Sequence, residues 1–112
     1  MYQGQILNAV NAGVDQTSAS IECDSATYAS FQFSWDGLTG TLDAVVQIQV
    51  SDSNGLFWDD KTGAVYMIST ADGSQSISLN NVVTSDKIRL AYIATGVTGG
   101  TFSAYATVKG LS

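Results

Sequence analysis

Histidine and proline are missing from this 112-residue sequence, cysteine occurs once, and lysine and arginine together number only four. Without histidine there is no Ser-His-Asp or Cys-His arrangement, no usual general base near neutral pH, and no imidazole for zinc. A single cysteine, Cys23, excludes an internal disulfide. In the stretch TSASIECDS it shares an alternating face with Ala19 and Ile21, which predicts a buried, unreactive thiol. Four bases against ten acids give a net charge of −6, and residues 1–60 hold eight of the acids and none of the bases. Phosphate backbones and anionic headgroups both call for Lys/Arg patches, so neither nucleic acid nor a lipid surface is an expected partner. No apolar run approaches the ~20 residues of a membrane-spanning helix, so membrane insertion is not expected. The opening MYQGQILNAVNAG also lacks the basic start and long apolar core of a signal peptide.

Charged residues make up 12% of the chain, against roughly 25% in an ordinary globular protein. Serine, threonine, asparagine and glutamine fill the polar positions instead. A polar surface with little charge suits contact with other subunits, because charge is depleted in interface cores. It equally suits an ordinary extracellular-type β-domain.

Apolar and polar residues alternate with a period of two almost throughout, and helical spacing is absent. In YASFQFSW, Ala29, Phe31, Phe33 and Trp35 share one face, with Tyr28, Ser30, Gln32 and Ser34 on the other. Ala44, Val46, Ile48 and Val50 oppose Gln47 and Gln49; Ile88, Leu90 and Tyr92 oppose Lys87 and Arg89; Phe102, Ala104, Ala106 and Val108 line up in the same way. WDGLTG (35–40), DSNG (52–55), ADGS (71–74) and GVTGG (96–100) supply residues that tolerate positive φ, and are read as turns. The pattern predicts about eight strands, over roughly 5–11, 16–23, 28–35, 43–51, 64–69, 75–80, 87–95 and 100–109. We therefore expect one all-β domain over residues 1–112, an antiparallel β-sandwich that is either jelly-roll or Ig-like. With no proline, its edge strands would need charge, bulges or a neighbouring subunit for protection.

Chemistry has few places to sit. Glu22 is the only glutamate, and most carboxylates fall in turns or at strand ends, where they make poor general acids. The GVTGG glycines precede no helix, so no phosphate cradle is expected. The chain is not expected to be an enzyme, nor to carry a cofactor. Asp52, Asn54, Asp59 and Asp60 offer oxygen ligands within nine residues, but not at the spacing of a twelve-residue calcium loop. Asp52 and Asn54 are better explained as turn formers through side-chain hydrogen bonds to the backbone, and no metal site is expected. Trp58, with Phe57, Asp59, Asp60 and Asn54, could present an aromatic plane beside acceptors, the chemistry of a sugar platform. Alternatively Trp58 closes a sandwich corner, its ring over the core and its N–H at the rim. Tyr28 and Tyr105 lie on polar strand faces and, with Gln47 and Gln49, are candidate subunit contacts.

The strand ending VQIQVSDSNGLFWDD resembles a hairpin of small β-sandwich proteins of bacteriophage particles, V-x-V-x-x-S-N/D-D-G-x-x-W-x-D. Downstream, KIRLAYIATGVTGGTFSAYATVKG resembles their closing hairpin, with an Arg among apolar residues, a Tyr, a Ser/Thr/Gly turn and a final Lys-Gly. The likeness spans roughly residues 43–110, with departures at Ser53 and Phe57. It implies a structural virion component of decoration, spike, capsid or head–tail accessory type, made in the host cytoplasm. Such a protein would assemble with copies of itself, by analogy as a trimer, and with other virion proteins. It places Asn54-Gly55 at the turn, Trp58 at a packed corner, and Arg89 and Tyr92 on the penultimate strand, and it carries over no active site. The alternative function is a carbohydrate-binding, receptor-recognising module with its glycan at Trp58.

Overall fold

The computed structural model describes residues 2–23, 27–79, 83 and 85–110. Its strands are β1 (Tyr2–Asn11), β2 (Gln16–Thr17), β3 (Ile21–Glu22), β4 (Thr27–Gly40), β5 (Ala44–Ser51), β6 (Asp59–Ile68), β7 (Gly73–Ser78), β8 (Lys87–Ile93) and β9 (Val97–Gly110). One sheet, here called A, has the order β1-β9-β4-β7; the other, B, has the order β2-β8-β5-β6, with β3 also beside β8. All pairings are antiparallel. β2 and β3 run along one partner, so they count as a single interrupted strand. The chain then crosses repeatedly between two four-stranded sheets. That is a jelly roll, and not the ABED/CFG order of an Ig-like sandwich.

Alternation decides what is buried. Phe31, Phe33, Trp35, Phe102, Ala104, Ala106 and Val108 of sheet A face Val46, Ile48, Ile88, Leu90 and Tyr92 of sheet B across one continuous core. Tyr92 stacks on Phe102 with ring centroids 4.5 Å apart, and its hydroxyl donates to the Ala12 carbonyl at 2.8 Å. The one polar tip on this strand's inner face is therefore satisfied without reaching water. Trp35 does the same at the rim, its Nε1 donating to the Thr70 carbonyl at 3.0 Å.

Several expectations need correction. The segments 35–40 and 97–100 are not turns: they extend β4 and β9, whose pairing slips between Asp36 and Gly40, and only Gly96 stays in the bend between β8 and β9. Their glycines adopt the left-handed backbone of β-bulges, at Gly37, Gly40 and Gly100. The strand expected over 16–23 is split, because buried Ser18 accepts the Leu90 N–H with its own hydroxyl at 3.0 Å. A side chain thus replaces a ladder carbonyl, while the Ser18 N–H still donates to the Leu90 carbonyl at 2.9 Å, and Ala19 is exposed rather than in line with buried Ile21 and Cys23. β6 starts at Asp59 instead of 64, and the strand expected over 75–80 runs Gly73–Ser78, so that the expected turn at 71–74 is half strand; position 80 lies outside the described residues.

Candidate functional site

The outer face of sheet B holds the most organised polar cluster. Gln49 of β5 lies between Arg89 of β8 and Asp60 of β6. Arg89 Nε donates to Gln49 Oε1 at 2.8 Å, and Gln49 Nε2 donates to Asp60 Oδ1 at 3.0 Å. The chain of bonds fixes which way the Gln49 amide faces. Above it the Arg89 guanidinium lies 4.1 Å from the centre of the Trp58 ring. Among the described residues no carboxylate forms an ion pair with Arg89. An open cleft of about 320 Å³ runs beside it, lined by Asp15, Gln16 and Thr17 of the β1–β2 segment and by Ala91 and Ile93 of β8.

Trp58 is neither an open platform nor the lid on the core. It is half-buried, with the cation against its ring, and the tryptophan that seals the sandwich is Trp35. The loop before it is tied by two serines rather than by Asp52 and Asn54. The buried Ser51 hydroxyl accepts the Gly55 N–H at 2.9 Å, and Ser53 Oγ accepts the Phe57 N–H at 2.8 Å. Asn54 contributes only its left-handed backbone, φ 56°. Leu56 and Phe57 consequently stand out at the tip, 74% and 69% exposed, and neither lines the Arg89 cleft.

The sequence-predicted residues divide between the two faces. Gln47 and Gln49 are on sheet B, whereas Tyr28 and Tyr105 are on sheet A, so the four do not form one surface. Gln47 is engaged internally. Between the pairs Gln47↔Val65 and Gln49↔Asp60, residues 61–64 of β6 stand opposite Ile48 alone. The Gln47 amide fills this wide bulge, within 2.8–3.2 Å of the carbonyls of Ile48, Lys61 and Ala64. Tyr105, by contrast, sits in mid-face in a row that crosses all four strands of sheet A: Gln5, Tyr105, Gln32, Ser76. Parallel rows hold Thr107, Ser30 and Ser78, then Ser103, Ser34 and Ser74. Charge appears only at the two ends, at Lys109 and Asp36.

Asp36 has a neighbour across the rim. Its carboxyl is held above the ordinary 3.8 by a hydrogen bond to Asp72 and by that group's charge. Asp72 is held below 3.8 chiefly by the Gly37 N–H, 2.9 Å away, and then by Asp36. The pair sits on a solvated bulge at the rim, and among the described residues no further titratable group shifts either carboxyl. Sequence reasoning missed this pair, the Gln47 plug and the Arg89 stack, since each joins segments more than ten residues apart.

The sequence matches no protein-family model and no curated protein. Solved structures do match in shape. The SPBc2 prophage-derived protein YomS superposes with a TM-score of 0.55 at 11% identity, over 96% of this chain and 92% of its own. A chain of infectious bursal disease virus, Gt strain, gives 0.55 at 13% identity, over 97% of this chain and 31% of its own. Chitosan-binding module 1, from a chitosanase/glucanase of Paenibacillus sp. IK-5, gives 0.50 at 18% identity, over 88% of this chain and 74% of its own. At these identities the likeness establishes the fold. Viral proteins and a carbohydrate-binding module share it.

Proposed function

We propose that this chain is a non-enzymatic structural component of a bacteriophage particle, an accessory capsid, spike or tail-associated subunit. It acts by packing against copies of itself and against other particle proteins, and is localised in the virion. The observation that carries this reading is the outer face of sheet A. Four strands present Gln, Ser, Thr and Tyr in continuous rows with charge confined to the ends. A solvated face gains from scattered charge, whereas an interface core is depleted of it and enriched in tyrosine. The full-length likeness to the SPBc2 prophage protein supports the same reading. An antibody to the purified chain, applied to density-gradient fractions of phage particles from the source of the gene, should label the particle band. Labelling confined to the soluble fraction would overturn the proposal.

The Arg89 cleft favours a second reading, glycan binding. Arg89 keeps its terminal N–H donors, Asp15 supplies an acceptor in the cleft, and Gln49 is locked between Arg89 and Asp60. A carboxylate and a guanidinium lining one cleft suit the hydroxyls of a neutral sugar better than an acidic one. A panel of neutral oligosaccharides followed by NMR should shift the Gln49 and Arg89 side-chain signals; no shift with any of them removes this reading.

A further inference from the structure

We infer that two copies of this chain join through β7, edge to edge and antiparallel, across a two-fold axis. The inference rests on the assembly reading above and names its surface and its partner. A sandwich of two open sheets has four edges, each with backbone N–H and C=O groups available to another strand. Three of these edges are protected. β1 is bulged twice, between Gln5 and Leu7 and again before Val10, with Ala9 at φ 48° and its N–H taken by Ser103 Oγ at 2.9 Å. β6 is opened by the bulge at 61–64 and carries Asp59, Asp60 and Lys61. The β2/β3 edge comes in two pieces of two residues each, separated by the excursion at 18–20.

β7 has none of these devices. Its sequence GSQSIS contains no charge and no proline, and all six residues pair with β4 in unbroken register, from Ser30↔Ser78 to Trp35↔Gly73. Among the described residues no hydrogen bond reaches its outer edge. Five of its six residues are exposed and Ile77 is half-buried. An unguarded strand of ordinary length is a template for a second strand.

A second copy fits it. A two-fold axis normal to the sheet keeps each face continuous; centred on Ser76, in the outward-facing row of the strand, it sets Ser76 opposite Ser76, Ser74 opposite Ser78, and Gln75 opposite Ile77. No like charges meet. The two sheets A become one antiparallel sheet, and the row Gln5–Tyr105–Gln32–Ser76 runs on into its mirror sequence in the second copy. The contact is isologous and closed, so it ends at the dimer and does not grow into a filament. The phage resemblance pointed to a trimer; the edges point to a pair.

Light scattering behind a sizing column, over a series of concentrations, should give twice the chain mass. Ser76→Lys sets two ammonium groups face to face on the axis and should raise the dimer Kd about tenfold or more. Ser76 is exposed, so its thermal melt at low concentration should match the parent's. Gln3→Lys adds the same charge to β1 on the opposite edge and should leave the dimer intact. A monomer at every concentration, a mass of three chains, or a dimer indifferent to Ser76→Lys overturns the inference. Particle labelling alongside a monomer would defeat the β7 contact while leaving the virion assignment standing. A β7 dimer absent from particles would do the reverse.

Discussion

Arg89 lies 4.1 Å over the ring of Trp58, although thirty-one positions separate them in the chain and neither belongs to the core. The stack is bracketed by the Gln49 bond, so the guanidinium is held both at Nε and over its plane. Arg89→Lys keeps the charge but loses the planar fit and the Nε donor. It should cost about 1 kcal/mol in urea unfolding. It should also shift the emission of the half-buried indole, while the Trp35 contribution stays fixed.

Tyr92 provides a test at high pH. Burial, and then the charge of Asp15, push its hydroxyl above the ordinary value of 10. Its folded pKa being raised, the stability it contributes is complete below pH 10 and is lost as pH rises through the folded value. The parent should therefore lose stability above pH 10 more steeply than Tyr92→Phe. At neutral pH the parent should be the more stable of the two, because in Tyr92→Phe the Ala12 carbonyl loses its buried donor, at a cost of about 1–2 kcal/mol. Urea midpoints across this range measure both effects.

The Asp36–Asp72 pair makes opposite contributions at the acid end. Asp36, raised, favours the fold below pH 3.8 and opposes it as pH climbs through its folded value. Asp72, lowered, favours the fold above 3.8 and loses that contribution as pH falls. Asp36→Asn keeps a donor toward Asp72 without the like charge. We expect a higher melting temperature than the parent at pH 7, with the difference closing as the solution is acidified.

Two bulge glycines separate strain from crowding. Gly37 has φ 66° and open space where a Cβ would go; Gly40 has φ 87° and the Gly96 carbonyl oxygen 2.5 Å from that position. Gly37→Ala should cost about 1 kcal/mol for the left-handed backbone alone. Gly40→Ala must also push a backbone carbonyl aside and should cost about 2 kcal/mol or more beyond that. Chemical denaturation of the two variants side by side gives the comparison.

Strand faces were legible in the sequence because one dry and one wet face impose alternation, and every inward residue read from Ala29 to Val108 is buried except Val50, which is half-buried near the end of β5. Bulges were not, because Gly37 and Gly100 are the same residues a turn would use. Only the opposite strand decides between the two outcomes. Gln47 and Gln49 read alike for a similar reason: nothing local to QIQV says that one will close a gap in β6 and the other bridge Asp60 to Arg89. Trp58 was singled out for its neighbours Asp59 and Asp60, yet the residue that defines its surroundings comes from β8.

The place of β9 between β1 and β4 governs how the molecule can form. The pairing of Tyr2 with Val108 closes a loop of about a hundred residues, and β4 likewise waits on a strand far downstream. No hairpin of neighbouring strands can build sheet A by itself, so its folding should be slow, in the millisecond-to-second range of non-local β topologies. Sheet B has a local start in the β5–β6 hairpin. Until β9 arrives, β1 and β4 remain two additional bare edges, and the interval before closure is when the chain is most open to aggregation.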